Sequence, residues 1–578
     1  MTDYPWPNLA VMFFENAERL GGGPFLWAKQ DGTYQPITWA ETAKKIYAIA
    51  EGLTSLGVKS GDRVVLVSEN RPEWLIADIA IMAIGAITVP AYVTNTEADH
   101  HHILSDSGAS GAIVSTARLA KTLLSAADKV DETRFIVAMD ELDAPLAGNM
   151  EVLSWDSCLD SGGTENIRDR AAAWSDQETA CIIYTSGTGG QPKGVMLSHR
   201  NLFHNVVGAR DALTEMGLGK EVFLSFLPLS HSYEHMAGQL FPISIGAEIY
   251  YAEGIETLGA NMVEARPTIM TAVPRLYETM HQRISQGVRK SGGLKEKMFT
   301  GALDLGRKKY ETNGQLGPME KIMDLVLDKL VRDKVRGRFG GRLKALVSGG
   351  APLNPDIGIF FTALGLRLLQ GYGQTETAPV ISVNRPAGPK MHTVGLPMIN
   401  TEVKIADDGE ILTRGDLVMK GYWKNDAATR DVIRDGWVHT GDIGHFDELG
   451  HLIITDRKKD IIVNSGGDNV APQRVEGLLS LEPEIAQALV YGDKRPHLVA
   501  VIVPDEGWFG QQGGDPHKVL QAAVERVNKQ LSTIEKVRRF IIADGPFTIE
   551  NRQLTPTMKV RRHIINEVYG DRLAGLYR

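Results

Sequence analysis

The sequence predicts an α/β protein with a large N-terminal domain of parallel and mixed sheets covered by helices, a β-rich subdomain, and a small α+β C-terminal domain. Three observations predict it. Short apolar runs alternate with helical stretches through the first part of the chain, the pattern of parallel strands joined by helices. After Thr401 the texture changes to short strands and tight turns. A second module begins near Asp456, dividing the chain into residues 1–456 and 457–578.

Each element has a local reason. Residues 63–68, 111–115, 135–139, 222–226 and 343–347 are short apolar runs that read as strands. Arg71 opens a helix with Pro72 in its first turn, where the missing N–H is harmless. Residues 75–89 form the most apolar segment, but Asp78 and Gly85 interrupt it and Pro90 ends it short of a membrane span. It reads as a buried helix running into a strand. Thr96 to Asp99 has the pattern of a helix cap. The His100-His101-His102 run beyond it does not read as a metal site, because successive helical residues point about 100° apart.

From about Gly287 to Gly341 the chain is strongly helical. Ile322, Leu325, Val326 and Leu330 fall at helical spacing among charges of both signs, which predicts an amphipathic surface helix rather than a membrane anchor. Turns at Asp407-Asp408-Gly409 and Asp447-Glu448-Leu449-Gly450 predict β-hairpins. Beyond Asp456-Arg457-Lys458-Lys459-Asp460 come an apolar run, a glycine turn, a helix with Pro472 early, strands near residues 498–503 and a helix over 517–531.

At 578 residues the chain exceeds what one core supports. Its 43% hydrophobic and 23% charged residues are ordinary for a globular protein, and a net charge of −9 argues against general nucleic-acid binding. Cys158 and Cys181 cannot make a disulfide framework, and no Cys/His spacing suggests zinc, which fits a cytoplasmic setting. The first seven residues lack the basic and apolar regions of a signal peptide. Peripheral contact at the inner membrane face and a homodimer are both compatible with the sequence.

The most informative run is Tyr184-Thr185-Ser186-Gly187-Thr188-Gly189-Gly190-Gln191-Pro192-Lys193-Gly194. Small hydroxyl residues and glycines leave backbone N–H groups free to wrap an anion, and the lysine adds a positive charge. An apolar strand precedes the run, and Ser198-His199-Arg200-Asn201-Leu202 beyond it reads as a helix start. A P-loop NTPase is excluded, since that loop needs Gly-Lys followed by Ser or Thr, and here Pro192 precedes Lys193 and Gly194 follows it.

Four further segments add chemistry. Ser348-Gly349-Gly350-Ala351-Pro352 follows a strand with bare backbone that admits a flat ring. Gln370-Gly371-Tyr372-Gly373-Gln374-Thr375-Glu376-Thr377 joins an aromatic, a hydroxyl and a carboxylate. Thr440-Gly441-Asp442 places a carboxylate in a turn, and Leu554-Thr555-Pro556-Thr557-Met558-Lys559 sets a lysine in the second module.

Together and in this order, these five motifs resemble the adenylate-forming (AMP-binding) enzymes across essentially the whole chain, most closely the long-chain fatty-acid–CoA ligases. Leu227-Pro228-Leu229-Ser230-His231 and the segment ending Arg336-Gly337-Arg338-Phe339-Gly340-Gly341-Arg342 support the closer likeness. The resemblance implies ATP and coenzyme A as co-substrates, Mg²⁺ as cofactor, and a long-chain fatty acid activated as its adenylate and then passed to the thiol. It implies that Thr185, Ser186, Gly187, Thr188 and Lys193 hold the β- and γ-phosphates, that Thr375 contacts the α-phosphate, and that Thr185 and Glu376 hold the metal. Gly349, Gly350, Ala351, Pro352 and Tyr372 correspond to the adenine slot, Gln370, Gly371 and Gly373 to further ATP-binding positions, and Asp442 and Arg457 to the ribose partners. Lys459 matches the hinge of a mobile C-terminal domain, Lys559 the catalytic lysine, and Ser465, Gly466 and Gly467 the segment nearest coenzyme A. His231 has a gating or thioester-step role in the family, against a packed core histidine, and Tyr233 matches an acyl-pocket gate.

Two departures stand out. Gly189 occupies a position where the family usually has threonine, which predicts weakened rather than abolished ATP binding. The turn Gly466-Gly467-Asp468 is one residue longer than in relatives with shorter substrates. Two alternatives accompany the ligase reading: an acyl-adenylate or acyl-carrier-protein ligase, and a non-catalytic acyl-binding relative. Retention of Glu376, Asp442, Arg457 and Lys559 together speaks against the second of these.

Overall fold

A computed structural model describes residues 4–142, 150–185, 191–555 and 559–578. Ser186, Gly187, Thr188, Gly189 and Gly190 of the phosphate-loop motif lie outside the described residues, as do Pro556, Thr557 and Met558.

The architecture is α/β, as the alternating pattern requires. One eight-stranded sheet among the described residues has a parallel centre in which Arg63–Val67 lies between Ile87–Ala91 and Gly111–Val114, with Phe135–Ala138 and Glu151–Ser154 beyond. Valine and isoleucine dominate these strands because both faces are covered, and most of their side chains are fully buried. The apolar segment is indeed a helix, Pro72–Ala83, running into the strand Ile87–Ala91. Trp74 in that helix has no exposed surface, and burying such a side chain contributes on the order of 2–3 kcal/mol. Asp78, which interrupts the apolar run, is sealed in the core 2.8 Å from His235.

A second, nine-stranded sheet carries Val222–Ser225, Ile269–Ala272, Ala345–Ser348 and Leu368–Tyr372 as parallel neighbours. The carboxyl ends of the last two deliver Gly349 to Pro352 and the Tyr372-to-Glu376 segment, where loops of an open α/β sheet gather a ligand. The predicted hairpins form a third, antiparallel sheet from Glu402–Ile405, Glu410–Arg414, Trp437–Phe446 and Leu452–Arg457. Its register sets Asp442 directly opposite Arg457.

Residues 462 to 573 supply two apolar cores of their own, one on each side of the sheet Ile485–Tyr491, Leu498–Pro504 and Val537–Ile542. Pro472 starts a helix, Pro472–Leu479, and the helix expected over 517–531 is Pro516–Asn528. This module touches the rest through side-chain-to-backbone bonds such as Arg275 Nη1 to the Ala486 carbonyl (3.2 Å) and Asn354 Nδ2 to the Gly477 carbonyl (3.3 Å).

One expectation needs correction. The phosphate-loop motif does not run from a strand directly towards a helix. Thr179–Thr185 pairs antiparallel with a second strand, Lys193–Ser198, and only then does the helix His199–Leu213 begin, capped by Ser198 with Asn201 in reciprocal hydrogen bonds. Thr185 and Lys193, the described flanks of the motif, thus face each other on antiparallel strands.

Candidate functional site

The site assembles where the two large sheets, the antiparallel sheet and the C-terminal module meet. Its firmest part is a carboxylate held from two sides. Asp442 is 6% exposed; its Oδ2 accepts from the Tyr372 hydroxyl at 2.7 Å and its Oδ1 from Arg457 Nε at 3.0 Å. Burial, then the Asp442 charge, push the Tyr372 phenol well above its usual range. Burial works against the Arg457 charge, but Asp442 beside it prevails and keeps the guanidinium firmly protonated. Two donors on one carboxylate fix its rotamer and present its edge to a ligand's hydroxyls.

Glu376 follows within one turn, on the short helix Thr375–Thr377. Its Oε1 accepts from the Tyr422 hydroxyl at 2.8 Å. The Tyr422 ring in turn lies beneath Lys193, whose Nζ is 5.1 Å from the ring centre, a cation–π distance. Tyr422 is 6% exposed and sits on the strand Gly421–Tyr422, which pairs with Lys193–Ser198. Burial first, then the Glu376 charge, raise its phenol, so it remains a donor. Sequence reasoning missed this residue. The Gly-Tyr pair between the third sheet and the hairpin offers no chemical spacing of its own, and only the fold joins it to both Glu376 and Lys193.

The phosphate hairpin has a further support. His102 Nε2 donates to the Pro192 carbonyl at 2.8 Å, while His100 is buried and held neutral, its pKa lowered to about 4 by burial. The three adjacent histidines therefore diverge, as their helical spacing implies. Thr96 and Asp99 form the reciprocal cap.

On the other wall, Tyr233 is 6% exposed and donates its hydroxyl to the Val347 carbonyl at 2.9 Å. Its ring lies so close under Gly349 that a Cβ there would meet it at 3.0 Å, which explains the bare backbone of that loop. A Cβ at Gly373 would fall 1.9 Å from the Pro379 carbonyl oxygen, so no side chain fits. Gln370 is buried in the middle of its strand, Gly350 takes a left-handed turn, and Ala351 and Pro352 continue the loop towards the surface. Thr375 Oγ1 lies 3.1 Å from Ser232 Oγ. His231 Nδ1 accepts from the Tyr233 backbone N–H at 3.2 Å, and burial, then nearby Lys559, depress its pKa to about 3. It is a neutral imidazole whose proton sits on Nε2. The next residue, Glu234, is sealed below, taking hydroxyl bonds from Ser225 and Thr271 at 2.6 Å each, and burial raises it to about 7.

Lys559 reaches this cleft from the C-terminal module. Its backbone is clamped by Thr555, through Thr555 N to the Lys559 carbonyl at 2.8 Å and Lys559 N to Thr555 Oγ1 at 3.0 Å. Desolvation, then Arg457, lower its amine to about 8, against the pull of Asp442 and Glu376. The residue is exposed, as expected in an open cleft rather than a sealed core. Among the described residues its Nζ has no hydrogen bond or ion pair.

The structure thus brings together Thr185, Lys193, His231, Tyr233, Gly349, Tyr372, Thr375, Glu376, Asp442, Arg457 and Lys559. It does not bring Lys459, Ser465, Gly466 or Gly467 into contact with them. Lys459 is exposed in the turn after Leu452–Arg457. Ser465 to Gly467 form the exposed tip of a small hairpin whose backbone bonds go to Arg495 and Asn464. Asp456, at the same junction, is buried with one oxygen unpartnered and is raised to about 7 by burial.

For a divalent cation the available donors are oxygens, Glu376 and Thr185, and no group of three or more His, Cys, Asp or Glu among the described residues could cage one. That donor set fits Mg²⁺, which keeps waters and substrate phosphates in its shell and takes few protein ligands.

Comparison with known proteins accords with this geometry. Residues 13–423 match the family model described as AMP-binding enzyme, and residues 459–578 its C-terminal domain. A Mycobacterium tuberculosis protein named long-chain-fatty-acid–CoA ligase FadD15 is 36% identical, covering 99% of this chain and 97% of that protein. The Arabidopsis thaliana protein named long chain acyl-CoA synthetase 6, peroxisomal, is 33% identical over 95% of this chain and 82% of its own length. The adenylation domain of a carboxylate reductase from Mycobacterium chelonae superposes with a TM-score of 0.80 at 22% identity, covering 100% of this chain and 92% of that one, a likeness of fold. The chain belongs to the AMP-binding enzyme family.

Proposed function

We propose that this protein is an AMP-forming ligase that activates a long-chain fatty acid with ATP and Mg²⁺ and transfers the acyl group to coenzyme A. The observation that carries it is Lys559 poised beside Asp442, Arg457 and Glu376. Asp442, with Tyr372 and Arg457, binds the ribose hydroxyls; Gly349 to Pro352 and Gln370 to Gly373 accept the adenine. Thr185, Ser186, Gly187, Thr188 and Lys193 hold the outer phosphates. Glu376 and Thr185 hold the cation, which when bound neutralises phosphate charge.

A fatty-acid carboxylate is already ionised near neutrality and needs no base, but an anionic α-phosphate repels it. The Lys559 ammonium, with Thr375, stabilises both and orients the attack. The carboxylate oxygen bonds to α-phosphorus as the bond to pyrophosphate breaks. The coenzyme A thiol gives its proton to solvent, its thiolate sulfur bonds to the acyl carbon, and the acyl–oxygen bond breaks to release AMP. His231, neutral with Nδ1 already occupied, acts as a positioning donor through Nε2 rather than as a base. Tyr233 gates the acyl pocket. The chain divides at 456/457, with Lys459 as the hinge that withdraws Lys559 and brings Ser465, Gly466 and Gly467 to the thiol.

No helix of the described residues is long and apolar enough to cross a membrane. Two buried free cysteines suit a reducing compartment, and we place the enzyme in the cytoplasm, in peripheral contact with the inner membrane face. The test supplies fatty acids of graded length with ATP and Mg²⁺, with and without coenzyme A, and follows pyrophosphate, AMP and acyl-CoA. Long chains giving acyl-CoA, AMP and pyrophosphate are expected. Acyl-adenylate that accumulates without thioester formation points to a carrier protein as acceptor, and no turnover points to a binding protein.

A further inference from the structure

The helical stretch after Gly287 contains a surface that the proposed reaction does not use. Helices Gly293–Glu311 and Pro318–Leu327 pack together, and the second continues through Asp328–Arg332, a wider turn, into Asp333–Arg338. This second helix is inverted relative to an ordinary surface helix. It buries Asp324 and Arg332 with Leu327 and Val331, yet exposes Met319 (73%), Ile322 (59%), Met323 (51%), Leu325 (73%), Val326 (45%) and Leu330 (44%). The charged pair faces inward, with Arg332 Nη1 2.6 Å from Asp324 Oδ1. Beside the outward stripe, an open groove of about 630 Å³ runs between the two helices, its apolar lining of Met298, Leu305, Met319, Met323 and Leu327 joined by Lys297 and Lys308 and by Asp304 and Glu320. Contiguous apolar surface of this kind marks an interaction site.

The charge around it says what it fits. Residues 281–342 carry fifteen Lys and Arg against seven Asp and Glu, in a chain whose net charge is −9. The acids on the second helix are consumed internally: Glu320 by Lys308, Asp324 by Lys309 and Arg332, Asp328 by Arg336, Asp333 by Lys329. Lys295, Lys297, Lys321 and Lys334 stand exposed with no ion pair among the described residues. Both signs in the sequence pattern therefore resolve into a net positive rim around an apolar stripe. A second copy of this face would bring like charges together. An anionic bilayer offers an apolar interior and a negative surface at once.

We propose that this face docks the protein on an anionic lipid bilayer, the helix lying in the plane of the surface with its stripe at the headgroup–acyl boundary and its lysines reaching the headgroups. The preference for a bilayer over an acidic protein rests on the long-chain ligase reading, because such a substrate partitions into lipid.

Flotation of the full chain with phosphatidylcholine vesicles, with and without phosphatidylglycerol, tests it. Binding to the anionic vesicles that weakens with salt is expected. An Ile322→Ser/Leu325→Ser/Val326→Ser variant should lose at least about tenfold in vesicle affinity. A Lys295→Glu/Lys297→Glu/Lys321→Glu/Lys334→Glu variant, which leaves the stripe intact, should lose the anionic preference. Both variants should keep the thermal midpoint and the rate of fatty-acid-dependent ATP–pyrophosphate exchange with detergent-dispersed substrate. The proposal is overturned if wild type ignores anionic vesicles, if both variants bind like wild type, or if the serine variant instead changes oligomeric state in gel filtration. The exchange assay reports the ligase reading separately, so exchange without vesicle binding sinks only the docking surface.

Discussion

The wall proposed to face the nucleotide and the lysine that meets it are built on opposite terms. On the wall, each charged or phenolic group has a partner in place: Asp442 between Tyr372 and Arg457, Glu376 against Tyr422, Lys193 over the same ring. Lys559, by contrast, is bonded among the described residues through its backbone, to the Thr555 N–H and hydroxyl, and its amine, with a lowered pKa, has no described partner. The wall lies on the large sheets and the antiparallel hairpins; the lysine lies on a module with its own two cores. A preorganised wall needs no rearrangement as charge develops, whereas a lysine tied by side-chain bonds to the wall could not withdraw between two chemical steps. That difference is what a two-step ligase requires.

The largest expected effect comes from removing the untied charge. Lys559→Ala should lower overall acyl-CoA synthesis by about a thousandfold, as loss of a transition-state electrostatic contact does, while a melting experiment should find stability nearly unchanged. A large fall in melting temperature would mean the lysine is structural. Next come the tied groups. Asp442→Asn strands Arg457 and weakens two charge-assisted bonds, so the ATP KM should rise roughly ten- to a hundredfold with a smaller change in kcat; an unchanged KM breaks the ribose assignment.

Much of the wall was legible because its groups fall in ordered motifs and their chemistry is local: a hydroxyl-glycine run, a strand followed by Tyr372 and Glu376, a turn bearing Asp442. Tyr422 was not, since its bond to Glu376 spans 46 positions and exists only once the strand Gly421–Tyr422 pairs beside the phosphate hairpin. Locally, Lys193 and Gly194 look like loop residues ahead of a helix. Their strand is set by pairing with Thr179–Thr185 and not by local preference. The helix at Pro318–Leu327 shows the same limit. Periodicity revealed an apolar face but not its direction, which Arg332 and Asp324 decide by pairing inward.

Smaller effects sharpen the comparison. Tyr422→Phe keeps the ring under Lys193 and removes one bond to Glu376, so the Mg²⁺ concentration for half-maximal rate should rise about five- to tenfold while the ATP KM at saturating Mg²⁺ changes little. A rise in ATP KM alone would assign Tyr422 to Lys193 instead. The pH profile probes the untied amine. Its depressed pKa means the cation is present below about 8 and lost above it, so kcat/KM for adenylation should fall as pH rises through that value, and Lys559→Arg should extend the alkaline limb. An identical limb in both proteins would place the titration elsewhere. Smallest is Gly189→Thr, which restores a hydroxyl to the phosphate loop and should lower the ATP KM a fewfold; a higher KM would contradict the weakened-loop reading.

The central claim, that a fixed wall serves both steps while Lys559 serves only the first, is tested most directly by separating the half-reactions of Lys559→Ala. Fatty-acid-dependent ATP–pyrophosphate exchange should collapse by about a thousandfold, while thioester formation from supplied acyl-adenylate and coenzyme A stays within a fewfold of wild type. Equal loss of both half-reactions would contradict it.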